Sequence, residues 1–217
     1  MFASTLFTDE NDVSDFNRQI QNLLRIGRAD EAAAILETAL NEFGDTSHPV
    51  VALCQSCPVK GIEIVGWDRL AERIAGLDAT GAAITALGID ISSPSYPEFD
   101  SNPNFEPQLE TSYYDDSAFP FSAADRAALL EGFGPDGPGW QSRMAEPETP
   151  LSVRGLDRLN GAVRALVEGS TATPGADPLD ADAMRLGAAF VAVRLHQAVA
   201  RAIRLDGLPR PLAVIVG

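Results

Sequence analysis

The strongest constraint on the fold sits between Ala82 and Ile91. Ala82-Ala83-Ile84-Thr85-Ala86-Leu87-Gly88-Ile89-Asp90-Ile91 is apolar almost throughout. Such a run reads as a central strand covered on at least one face. Prolines and asparagines then mark a loop, after which Pro107–Tyr114 alternates Leu109, Thr111 and Tyr113 against Gln108, Glu110 and Ser112. That period of two predicts an antiparallel partner strand with one exposed face. Pairing the two strands as a hairpin brings Asp90 near Glu110, with Asp115 and Asp116 directly after the second strand. The first inference is therefore a sheet hairpin crowded with carboxylates.

The flanking segments read mostly as helices. Phe16, Ile20, Leu23 and Leu24 recur at spacings of three and four, with Asp12 or Ser14 as cap and Gly27 as stop. Asp30 is expected to cap a second helix over 31–43, ended by Gly44. Ser47 and Pro49 open a short third helix that Pro58 prevents from continuing. Lys60–Val65 alternates like a short strand, and Trp67–Ala75 reads as a helix closed by Gly76. Ser122 is expected to cap a helix over 123–133, before the breaker Gly134-Pro135-Asp136-Gly137-Pro138-Gly139. Leu151-Ser152-Val153 suits an edge strand, and Leu156, Leu159, Val163 and Leu166 a helical stripe. Asp177 and Pro178 start a long last helix that runs to about Leu205, where Gly207 and Pro209 stop it. Arg194, Gln197, Arg201 and Arg204 line one face of that helix. Leu212–Val216 reads as a final strand. Together these predict a single α+β domain over 1–217, with a subdomain boundary near 134–150. A small mixed or antiparallel sheet is flanked by an N-terminal helical hairpin and a long C-terminal helix.

Composition excludes several function classes. The formal net charge is −15 over 217 residues. Residues 1–148 carry −17 and residues 149–217 carry +2, and no basic residue lies between Arg73 and Arg126. Broad contact with nucleic acid or an anionic membrane surface needs lysine and arginine, so both are disfavoured. A basic protein is the partner that this charge suits. The N-terminus lacks a basic segment followed by a long apolar one, and Gly187–Leu205 carries Arg194, His196, Arg201 and Arg204. A cytoplasmic location is the expectation. One lysine among 16 basic residues, with abundant Ala and Gly, suggests a bacterial source.

Three kinds of chemistry follow from particular residues. The segment Gly27–Leu40 resembles the turn and second helix of a tetratricopeptide hairpin, which implies a helical hairpin and, in that family, a peptide-binding groove. Leu87-Gly88-Ile89-Asp90-Ile91-Ser92 resembles the first strand of ribonuclease H-like nucleases and related ATPases. That resemblance implies a divalent metal on Asp90, with Glu110, Asp115 and Asp116 as further oxygen ligands of a hydrolase or phosphodiesterase. Cys54 and Cys57 form one C-x-x-C, which supports either thiol chemistry or buried inert cysteines. The reading that best uses the whole charge pattern is non-enzymatic. It is a protein-interaction or regulatory domain whose acidic surface, with Asp90, Glu110, Tyr113, Tyr114, Asp115 and Asp116, meets a basic partner, as acidic immunity proteins meet basic toxin domains. This reading requires no cofactor.

Overall fold

In the structure, a computed structural model, residues 6–7, 9–43, 47–57, 61–91, 109–119, 142, 144–146, 151–172 and 177–217 are described. In chain order the elements are α1 (Glu10–Arg25), α2 (Ala29–Glu42), α3 (Pro49–Ser56), β1 (Glu63–Val65), a 3-10 turn (Trp67–Arg69) and α4 (Leu70–Asp78). Then come β2 (Ile84–Ile91), β3 (Leu109–Asp115), β4 (Met144–Glu146), β5 (Ser152–Arg154), α5 (Asp157–Ala172), α6 (Pro178–Asp206) and β6 (Ala213–Val216). The α+β class, the N-terminal helices and the long C-terminal helix are as the sequence predicts. The predicted helix over 123–133 and the breaker over 134–139 lie outside the described residues. The chain divides into two compact units, one built on residues up to 62 and 155–198, the other on 63–154 and 199–217.

The first unit is helical. Asp9, not Asp12 or Ser14, caps α1, its carboxylate accepting from the Asn11 and Asp12 amides at 2.7 and 3.0 Å. The apolar stripe marks the buried face but not the first turn, which is polar and rich in acids that complement the helix dipole. At the other end, Arg28 N–H donates to Leu23 O and Gly27 N–H to Leu24 O, the double bond of a Schellman stop. Helix α2 begins two residues earlier than expected and buries Ala32, Ala33, Leu36, Ala39 and Leu40. Asp30 is inside its first turn, and its carboxylate accepts from Gln197 Nε2 of α6 instead of capping.

His48 takes the capping role that the sequence suggests for Ser47. Its Nδ1 accepts from Val50 N–H at 3.3 Å, so the proton sits on Nε2 and is donated to Asp180 Oδ1 at 3.1 Å. Helix α6 is long and apolar enough to cross a membrane by length and composition alone. Its most apolar window is 56% buried inside the fold, as in a core helix. Arg194, on this helix, is only 5% exposed. Its guanidinium donates to Gln197 Oε1 at 2.8 Å and to Glu37 Oε1 at 3.3 Å, and lies 4.4 Å from the centre of the Phe190 ring.

The second unit holds the sheet, in strand order β4-β3-β2-β6. β2 pairs antiparallel with β3, β3 antiparallel with β4, and β2 parallel with β6, so the sheet is mixed. β1 and β5 form a separate antiparallel ribbon. Leu70, Ile74 and Leu77 bury the inner side of α4, which runs through Gly76 to Asp78. Glycine in an exposed helical turn costs only about 1 kcal/mol, too little to end a packed helix.

A parallel neighbour cannot be delivered by a tight turn, so β6 needs its own anchor. Arg210 supplies it. The guanidinium grips both Asp78 oxygens and donates from Nη2 to Ile84 O, while Asp78 Oδ1 accepts from Ile84 N–H at 2.8 Å. One fork thus ties the end of α4, the start of β2 and the approach to β6.

Candidate functional site

The register of the central strands decides which carboxylates meet. Asp90 pairs directly with Glu110, and Ile84 with Asp115. Asp90 and Glu110 therefore lie side by side on one face at one end of the hairpin. Asp115 and Asp116 lie at its other end, about 17 Å away by five residues of strand rise. Asp115 is occupied in closing the strand, its Oδ1 accepting from the amide and hydroxyl of Ser117. Asp116 is exposed in the turn that follows. Among the described residues, no group of three or more His, Cys, Asp or Glu could hold a metal ion.

Alternation places the two tyrosines on opposite faces. Tyr113 is buried with Leu87 as its cross-strand neighbour, and its hydroxyl accepts from Thr111 Oγ1 at 3.1 Å and meets Arg73. Tyr114 shares the face of Asp90 and Glu110, packed with Ala86 and Phe119. Its ring crosses Gly88 towards Ser112. A Cβ at position 88 would lie 3.3 Å from Ser112 Cβ and 3.5 Å from Tyr114 Cε2. Gly88 and Ser112 complete a site that the carboxylates alone did not reveal. The signal was a glycine inside an apolar strand, which marks a close approach.

The electrostatics of this face are unfavourable within the chain. Like charges directly opposite across a strand pair destabilise it. No ion pair to a basic residue is made by Asp90 or Glu110 among the described residues. Burial, and then the Glu110 charge, push the Asp90 carboxyl above the usual range. Asp90 is exposed by area, yet Gly217 backbone crowds it, since a Cβ there would fall 1.9 Å from Oδ1. One side of the carboxylate is thereby stripped of water while the other faces solvent. Burial also raises the Tyr114 hydroxyl, helped by both carboxylates and opposed by Ser112.

A raised carboxyl pKa has a definite sign. Its stabilising contribution is complete below the unfolded value and is lost as pH rises through the folded one. Asp90→Asn is therefore expected to raise the melting temperature at pH 7 and to leave it unchanged near pH 3. Paired thermal melts at the two pH values check this, and a variant that melts lower at pH 7 contradicts it.

The cysteines occupy a different setting. Cys54 is buried in α3, and Cys57 follows the helix with its thiol 3.6 Å from Gly155 O. Burial pushes Cys54 up to about 12 and raises Cys57 as well, against a smaller lowering by Arg194. Both shifts disfavour the thiolate, the form that thiol chemistry uses. The helical unit also carries a groove of about 410 Å³ lined by Ile20, Leu24, Val167 and Met184, with Arg185 at its margin. Arg185 donates to the buried Asp182 at 3.1 Å, and Asp182 also accepts from Leu6 N–H. Comparison of the chain with protein-family models, with curated proteins and with solved structures finds no match.

Proposed function

We propose that this protein is a non-enzymatic interaction module whose acidic sheet face receives a basic protein partner. The observation that carries the reading is the Asp90–Glu110 pair. Two carboxylates sit opposite each other with no guanidinium or ammonium on them among the described residues. A fold normally avoids this arrangement, and a cationic side chain from a partner removes its cost. Ile215, half-buried on the same face, adds apolar surface beside the pair, and the net charge of −15 steers a basic partner towards the molecule.

Affinity capture on the immobilised chain tests the proposal. Partners retained at about 50 mM salt are expected to be lost at about 500 mM, where the screening length shrinks to a few ångström. Asp90→Asn/Glu110→Gln is expected to retain less than a tenth as much at low salt. A captured set that neither salt nor the double variant changes refutes it.

A further inference from the structure

We propose that the outer edge of β6 is a self-association surface, through which two copies of this chain join their sheets antiparallel. Among the described residues β6 ends the strand order and pairs with β2 alone. Gly217 N–H donates to Ile89 O at 3.1 Å, which fixes which groups turn inward. By the strand alternation, Ala213, Ile215 and Gly217 direct their backbone groups at β2. Val214 and Val216 direct theirs away from the sheet. No hydrogen bond reaches those outward groups among the described residues.

β6 is short, but its own residues carry neither charge nor proline to keep another strand away. Ala213-Val214-Ile215-Val216 has no lysine, no proline and no charge, and all four residues are half-buried. An uncharged apolar edge with unpaired backbone groups is a template for another strand. A second copy is the occupant that the charge pattern selects. Residues 207–217 contain no Asp or Glu and one basic residue, Arg210, already held by Asp78. In a chain of net charge −15, this is an edge that two copies can bring together without setting carboxylate against carboxylate. A basic peptide, by contrast, finds no acidic residue within β6 and only Asp90 beside its Gly217 end.

The pairing also satisfies symmetry. A two-fold axis through the sheet leaves each side chain type on its own face in both copies, giving one self-complementary patch. Asp90 lies beside Gly217, at the far end of the strand from that axis. The two Asp90–Glu110 pairs then stand roughly 20 Å apart on the same face, counting strand spacing and rise. That exceeds the ~8 Å screening length, so their mutual repulsion does not oppose association.

Sedimentation of the full chain over about 1–300 µM, a range that brackets micromolar dimers, is the test, combined with hydrogen exchange. A reversible dimer is expected, with the Val214 and Val216 amides slowing as concentration rises while the Ile215 amide stays slow throughout. Val214→Pro removes one outward N–H that β2 does not use, and is expected to weaken the dimer at least tenfold. A monomer across the range overturns the proposal, as does a dimer whose Val214 and Val216 amides exchange at a concentration-independent rate. A folded Val214→Pro chain that dimerises like the parent also overturns it. Should that variant not fold, exchange in the parent chain decides.

Discussion

Gly155→Ala is expected to destabilise the protein by about 3 kcal/mol, through one added methyl group. Gly155 links β5 to α5 with φ +91°, a region that side chains other than glycine's enter at a cost of about 1–3 kcal/mol. The new Cβ would stand 2.5 Å from the Gly61 carbonyl oxygen and 3.2 Å from its carbon. Backbone cannot rotate aside as a side chain can, so the two segments must separate. For a chain of this size the melting temperature should fall by about 6–12 °C. Gly76→Ala is the matched control, because nothing lies within 4 Å of its Cβ position in the exposed turn of α4. There the same methyl should stabilise by about 0.4–1 kcal/mol, by restricting the unfolded chain. Equal melting of Gly155→Ala and the parent would show that this turn is not under the stated constraint.

The second large effect is expected at Arg194, where three substitutions should separate packing from charge. Arg194→Ala removes a buried side chain of six bonded heavy-atom lengths beside Phe190 and is expected to cost about 3 kcal/mol. Arg194→Met keeps most of the volume and buries no charge, so it should cost only about 1 kcal/mol. Arg194→Lys keeps the charge, but a single ammonium cannot serve Gln197 and Glu37 together. It should fall near 2 kcal/mol, below Met in stability. Chemical denaturation of the three variants gives the order directly. If Lys proved the mildest substitution, the ion pair with Glu37, and not packing, would be what holds this residue in place.

Periodicity made the element types and the central pairing legible. A continuous apolar strand followed by an alternating one sets which faces pack, and the observed register then puts Asp90 opposite Glu110. The same pattern says nothing about distance along the strand. Asp115 and Asp116 are close to Glu110 in sequence, but each strand residue adds about 3.3 Å, and five of them separate the two acidic ends. Cap positions were less legible, because Asp9, Asp12 and Ser14 all offer suitable oxygens and only the tertiary setting selects one. Periodicity places Arg194 and Gln197 together on one face of α6 without saying what meets it, and α2 covers that face with Asp30 and Glu37. A helix enclosed on several sides has no outer face for its charged residues, so they must find partners inside.

The pairing of β2 with β6 joins Ala86 to Ala213, across the whole of β3, α5 and α6. During synthesis, β3 becomes available to β2 roughly 100 residues before β6 does, an interval of about 5–20 s at ordinary elongation rates. For that time β2 has an open flank, and Asp78 stands without the guanidinium that later fills its fork. The nascent chain thus passes through a stage in which its most apolar strand is half-clad, and chaperone demand should concentrate there.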